Sequence, residues 1–120
     1  MTEPDAFLRI CPSRDVMGRI GEKWSTLVIV ALSEGRLRFG ELRKRLDGIS
    51  QKMLSQTLRN LERDGLVSRE VFDERPLRVE YSLTPIGDSL VPLVTALKAW
   101  AQDRLQVIEA ARKAFDARQT

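Results

Sequence analysis

Residues 38–66, RFGELRKRLDGISQKMLSQTLRNLERDGL, constrain the fold of this chain more than any other stretch. Their apolar spacing predicts one helix over 39–46, a turn at Asp47-Gly48, and a second helix over 50–64 with Ser50 as its N-cap. One side of the second helix carries a leucine stripe at helical spacing: Leu54, Leu58 and Leu61. Two short helices joined by a tight turn are typical of a helix-turn-helix.

Basic charge is concentrated on this helix pair. Between Arg36 and Arg63 there are eight basic residues and three acidic ones, a net charge of +5, whereas the whole chain carries only +3. Such a concentration indicates a nucleic-acid surface, although a solvated helix face would give a similar pattern.

The segments that flank the helix pair predict the rest of a winged-helix core over 24–83. Residues 24–33, WSTLVIVALS, are apolar on nearly every side and predict a central helix. The apolar period then falls to two in 66–72 and 78–83, which predicts two strands joined by a polar tip at 73–77. This hairpin is the wing.

A helix is predicted at each end of the core, over 11–21 and over 84–118. The second begins at Thr84-Pro85, and Pro92 should kink or split it. Its apolar side would leave a large exposed patch in a monomer, which favours a homodimer that also uses the first helix. The predicted interface residues are Leu90, Leu93, Leu97, Trp100, Leu105, Ile108 and Phe115. The fold class is therefore mainly α with a small β-hairpin, in one domain over 1–120 with terminal dimerisation helices.

Several short sequence segments, taken in their order along the chain, resemble the HxlR family of bacterial winged-helix transcription regulators. The matching pieces are Cys11-Pro12, IGEKWSTLVIVAL (20–32), RFGELRKRL (38–46), GISQKMLSQTLRNLERDGLVSR (48–69), Pro76, VEYSLTPIGDSL (79–90) and Trp100. The resemblance covers about residues 11–100. It implies a homodimeric repressor or activator on a short palindromic DNA operator, with 50–64 as the recognition helix and 73–78 as the wing tip.

The residue chemistry agrees with that implication. Arginine suits a bidentate contact with guanine and glutamine one with adenine, and amides and hydroxyls at a helix N-terminus favour phosphate. The candidate DNA contacts are Arg38, Ser50, Gln51, Lys52, Ser55, Gln56, Arg59, Arg75 and Arg78. Arg63 and Arg69 are left out because they could equally pair with Asp64 or Glu70.

Cys11 is the chain's single cysteine, so an internal disulfide is impossible and a reducing cytoplasm is expected. Some proteins of the resembling family sense oxidants or electrophiles such as quinones through a cysteine at this position. The helix terminus, Arg9 and Arg14 should stabilise its thiolate, and Asp15 should oppose it. A Cys11–Cys11 link between subunits, a mixed disulfide or alkylation stay open, as does a thiol without any regulatory role.

Other functional classes find less support in the sequence. It contains no histidine, no paired cysteine and no phosphate-cradling glycine loop, so we expect no enzyme, metal site or cofactor. No stretch approaches the roughly 18 apolar residues of a membrane span, and no secretory signal is visible. Two alternatives remain: control by a small-molecule ligand held between the core and the long helix, and a winged helix used for protein contacts.

Overall fold

The structure, a computed structural model, describes residues 3–119, which form six helices and one three-stranded antiparallel sheet. The helices are α1 (Pro12–Gly21), α2 (Lys23–Leu32), α3 (Phe39–Arg45), α4 (Gln51–Arg63), α5 (Pro85–Asp103) and α6 (Leu105–Arg118). The strands are β1 (Leu37–Arg38), β2 (Val67–Phe72) and β3 (Arg78–Leu83), in the sheet order β1-β3-β2. The predicted fold class, mainly α with a small hairpin, is confirmed. The sequence reasoning missed β1, which is only two residues long.

The core lies between α2, α4 and the sheet. Val28 and Ile29 of α2 are fully buried, and so are Leu54 and Leu61 of α4. Truncating a buried leucine or isoleucine to alanine costs about 2–5 kcal/mol, so these contacts fix the position of α4 against the domain. The remaining fully buried large side chains are Leu42, Leu58 and Val94.

Local hydrogen bonds fix both ends of α4. Ser50 Oγ accepts a hydrogen bond from the Met53 N–H at 3.0 Å, which confirms the predicted N-cap. At the other end Gly65 has a φ of +76°, and the Leu66 N–H donates to the Leu61 carbonyl at 3.0 Å. This is a Schellman ending, in which glycine supplies the left-handed residue.

The end of α4 is joined directly to the start of α5. The Leu66 carbonyl accepts from the Thr84 N–H at 3.1 Å, and Thr84 Oγ1 donates to the Gly65 carbonyl at 2.6 Å. Thr84 Oγ1 also caps α5 by accepting from the Gly87 N–H at 3.1 Å. A Cβ at Gly87 would overlap the Leu66 carbonyl oxygen. The approach of the two elements therefore requires glycine at this position.

The C-terminal helix is divided, but not at Pro92, where the sequence predicted a kink or a split. Pro92 lies inside α5, and the break falls at Arg104, between α5 and α6. Leu90 and Val91 pack against the core just before Pro92, and Val94 is buried just after it. These contacts hold the helix on both sides of the proline and outweigh the hydrogen bond that proline removes.

Within residues 3–119, no helix is both long and apolar enough to cross a membrane. The same residues contain no group of three or more acidic, cysteine or histidine side chains placed to hold a metal ion.

Candidate nucleic-acid interface

The two sides of α4 differ sharply in burial. Leu54, Thr57, Leu58 and Leu61 face the core. Five of the candidate DNA contacts lie on the exposed side of this helix: Gln51, Lys52, Ser55, Gln56 and Arg59. Ser50 is also exposed, although its hydroxyl already serves as the N-cap. Because the leucine stripe of α4 is buried, the polar residues on the opposite side of the helix form one continuous surface facing solvent.

The two cations on this surface, Lys52 and Arg59, form no ion pair within the described part of the chain. The side chain of Arg38, at the N-cap of α3, is likewise exposed and unpaired there, while its backbone N–H donates to Glu41 Oε1 at 2.8 Å. Cations left without a carboxylate partner are free to neutralise phosphates.

A groove of about 730 Å³ lies between the exposed flank of α4 and the sheet. Its lining includes Arg59, Arg63 and Arg69 with a single carboxylate, Glu62. The sequence reasoning left Arg63 and Arg69 out because of their neighbouring acids. Those acids are taken by other arginines: Arg19 Nε donates to Asp64 Oδ2 at 3.1 Å, and Arg36 lies 2.8 Å from Glu70.

Arg63 and Arg69 therefore extend the basic surface from α4 toward the wing. Helical spacing does place Arg63 opposite the leucine stripe, so that signal was present in the sequence. No local sequence pattern could have shown that Asp64 forms an ion pair with Arg19, which lies 45 residues earlier in the chain.

The two arginines predicted as DNA contacts on the wing, Arg75 and Arg78, lie in different environments. Arg75 is exposed in the loop between β2 and β3. Arg78 instead lies half-buried, 3.2 Å from Glu74 and 3.5 Å from Glu80, with its guanidinium carbon 4.1 Å from the centre of the Phe72 ring. Arg78 therefore has carboxylate partners within the wing, whereas Arg75 has no ion pair among the described residues.

A second arginine stabilises the same sheet. Glu70 and Glu80 are directly opposite each other in the β2–β3 register, an arrangement in which like charges repel. Arg36 offsets this repulsion by lying 2.8 Å from Glu70 and 3.5 Å from Glu80.

Cys11 is half-buried at the N-cap of α1. Its Sγ lies 3.0 Å from Ser13 Oγ and accepts from the Asp5 N–H at 3.3 Å. The Ser13 hydroxyl, with smaller contributions from the backbone N–H groups of Ser13 and Asp5, holds the pKa of the Cys11 thiol below its usual value. The predicted direction is right, and the Ser13 N–H in the first turn of α1 agrees with the predicted contribution of the helix terminus. Arg9 and Arg14 are not among the causes, and the pKa is raised by burial and by Asp5, not by the predicted Asp15.

The residues predicted to form a dimer interface are mostly exposed within one chain. There are two exceptions: Leu90 packs against the domain's own core, and Ile108 is half-buried. The others expose about half or more of their surface: Leu93, Leu97, Trp100, Leu105 and Phe115. The first helix, which the sequence reasoning joined to the interface, exposes Val16 and Met17. The segment before it adds three exposed apolar residues that the sequence reasoning did not include: Phe7, Leu8 and Ile10.

Comparison with known proteins places this fold among transcription regulators. Residues 19–109 match the HxlR-like helix-turn-helix family. YtfH of Escherichia coli strain K12, named an HTH-type transcriptional regulator, is 41% identical over 112 residues, which cover 93% of this chain and 89% of YtfH.

Two solved structures extend the likeness to the whole fold. That of ytfH from Salmonella typhimurium has a TM-score of 0.86 and 40% identity, and covers 92% of this chain and 99% of its own. The redox regulator HypR in its reduced form has a TM-score of 0.75 and 39% identity, and covers 82% and 98% respectively. With the family match extending over most of the chain, this protein belongs to the HxlR-like helix-turn-helix family of transcriptional regulators.

Proposed function

We propose that this protein binds a palindromic DNA operator as a homodimer and represses transcription there. The exposed face of α4 supports this most directly, because its cations lack ion-pair partners among the described residues while Arg19, Arg36, Arg45 and Arg78 are paired. A helix with a free cationic face and a buried opposite face is the form that enters a major groove.

The roles of the individual side chains follow from their chemistry. Gln56 and Arg59 lie near the middle of the exposed face, where they would reach base edges in the major groove. Ser50, Gln51 and Lys52 lie at the N-terminus of α4, where the helix dipole and free N–H groups favour phosphate. Ser55 lies one turn further along α4, and Arg38 precedes Phe39, which lines the groove beside this helix; both would contact the DNA backbone.

The wing would contact the DNA beside the groove that α4 occupies. At the tip of the wing, Arg75 is exposed and carries no ion pair among the described residues, so we assign the contact to it and not to Arg78. Arg63 and Arg69, in the groove between α4 and the sheet, would add attraction for the phosphate backbone.

Two observations support the dimer. The radius of gyration is 17.5 Å, whereas a compact domain of this length would have about 14 Å. The terminal helices that extend the molecule also carry the exposed apolar residues, including Trp100 and Phe115. A second copy packed on them would bury that surface and fix the separation of the two α4 helices.

The test is duplex binding measured at several salt concentrations, on an operator first selected from random duplexes. The variant Lys52→Ala/Arg59→Ala should lose specific binding and lower the salt slope by about 2, because the dimer loses two phosphate-contacting lysines, one Lys52 from each protomer. Lys113→Ala removes a cation from α6 on the side away from the predicted interface residues, and it should bind as the wild type does. Equal binding by this control and the double variant would contradict the assignment of α4.

We also propose that Cys11 makes DNA binding responsive to oxidants or electrophiles. Its lowered pKa increases the fraction of thiolate, the nucleophile that reacts with such reagents, and α1 carries exposed Val16 and Met17 beside the proposed dimer interface. HypR, a structural relative, is a redox regulator solved in reduced and oxidized forms. With one cysteine per chain, the products open to it are a Cys11–Cys11 link, a mixed disulfide or an adduct.

Diamide or a quinone should therefore change the DNA affinity of the wild type and leave Cys11→Ser unaffected. A non-reducing gel separates a link between subunits from modification of single chains. An equal response of both proteins would exclude Cys11 as the sensor. No feature of the site suggests catalysis, and we propose none.

A further inference from the structure

A second groove, of about 470 Å³, lies on another face of the domain, where α2, the turn between α3 and α4, and α5 meet. Its apolar lining includes Trp24, Leu27 and Val30 of α2 and Leu46 of the turn. Trp24, Leu27 and Val30 are partly buried against the core, so the domain's own packing holds this surface in place. The volume lies within the range of about 300–1,000 Å³ typical of small-molecule sites.

The rim of this groove is cationic. Lys23, Arg45 and Lys98 line it, against a single carboxylate, that of Asp47. Arg45 is 3.3 Å from Glu34, but neither lysine has an ion-pair partner within the part of the chain that the structure describes. Lys23 Nζ lies 4.6 Å from the centre of the Trp24 ring, which brings the positive charge next to the aromatic surface.

We propose that this groove binds a small aromatic carboxylate as an effector. An aromatic ring would cover the exposed part of Trp24 and the aliphatic side chains beside it, and a carboxylate would meet Lys23 and Lys98. A neutral ligand would not balance the positive charges of the two lysines, and a cationic ligand would be repelled by them. The groove therefore selects for a molecule with both an apolar ring and a negative charge.

The position of the groove gives such a ligand a route to the DNA-binding helix. Leu46 and Asp47 form the turn that leads into α4, and Lys98 lies on α5, which carries part of the proposed dimer interface. A ligand that contacts the turn and α5 together would favour one relative position of these elements. This regulatory consequence depends on the proposed DNA binding, whereas the binding of the carboxylate does not.

The test uses ¹⁵N-labelled full-length protein and 2-naphthoate as the probe. The chain contains two tryptophans, Trp24 and Trp100, and the variant Trp100→Phe assigns their indole N–H signals. We expect 2-naphthoate to shift the Trp24 signal in a saturable manner, and neutral 2-naphthylmethanol to bind at least about fivefold more weakly. Lys98→Ala should weaken naphthoate binding by a similar factor, and Lys113→Ala, on α6, should not.

A Trp24 signal that does not respond, or that responds equally to both probes, would overturn the proposal. A Trp24 signal that shifts on dilution and ignores naphthoate would also overturn it, by showing that a second copy of the chain covers the groove. DNA affinity is then measured with and without naphthoate. Carboxylate binding that leaves DNA affinity unchanged would overturn the regulatory part alone, and a failure of DNA binding itself would leave the carboxylate site standing.

Discussion

Replacing Gly87 by alanine should destabilise this protein although alanine is the better helix former. Gly87 lies in the first turn of α5, where its N–H donates to Thr84 Oγ1 at 3.1 Å. An added Cβ would overlap the Leu66 carbonyl oxygen and lie 3.3 Å from Leu83 Cδ2. The overlapping atom belongs to the backbone, so a side-chain rotation cannot relieve it.

The magnitude follows from three contributions. Overpacking of a tight site costs about 1–3 kcal/mol. Moving α5 away from Leu66 would also weaken the hydrogen bond from the Thr84 N–H to the Leu66 carbonyl, which contributes about 1 kcal/mol. The gain in helix propensity offsets about 1 kcal/mol of this cost. We expect a net loss of about 1–3 kcal/mol in the free energy of unfolding, which lowers Tm by roughly 4–12 °C.

The assay is thermal and urea unfolding followed by circular dichroism, at equal protein concentrations because dimerisation would also raise Tm. Gly40→Ala is the matched control, since Gly40 is helical in α3 and its added Cβ meets no atom within 4 Å. This variant should gain about 0.5–1 kcal/mol. If Gly87→Ala unfolds at the same temperature as Gly40→Ala or higher, the close approach of α5 to Leu66 does not exist in solution.

Three further predictions concern α4 and Cys11. The pair Arg19–Asp64, 3.1 Å apart and mostly buried, should show a coupling of about 1–2 kcal/mol in a double-mutant cycle of Arg19→Gln and Asp64→Asn, and additive single effects would refute the pair. Ser50→Ala should cost about 1 kcal/mol of unfolding free energy through loss of the N-cap, measured by urea unfolding; no change in the urea midpoint would exclude the cap. The alkylation rate of Cys11 should reach its half-maximum at a lower pH than that of an ordinary thiol, because its lowered pKa keeps the thiolate populated until the pH falls below that value. Ser13→Ala should move this midpoint to higher pH, and an unchanged midpoint would show that the Ser13 hydroxyl does not lower the pKa.

The helix-turn-helix could be predicted well because its determinants are local. Ser50 reaches a backbone N–H only three residues away, and Gly65 ends α4 through bonds to the preceding turn. The leucine stripe of α4 is buried where the helical period places it. Each of these features depends on residues within a few positions of one another, which is the range over which sequence spacing is informative.

The candidate site was predicted less completely because ion pairs join distant segments. Alternation in β3 gave the side of the strand on which Arg78 lies, but not that Glu74, Glu80 and Phe72 surround it. In the same way, Pro92 predicted a kink or a split in the C-terminal helix, and packing against the core keeps α5 continuous at this residue.

The sequence by itself determined the winged helix-turn-helix, the two faces of α4 and the concentration of basic charge on it. These are consequences of helical period, capping residues and composition, which act within single elements. The tertiary structure alone decided which cations remain free, where the C-terminal helix divides, and that α2, the α3–α4 turn and α5 form a groove. Each of these depends on distances between elements, such as the 45 positions that separate Arg19 from Asp64, and such distances exist only once the chain has folded.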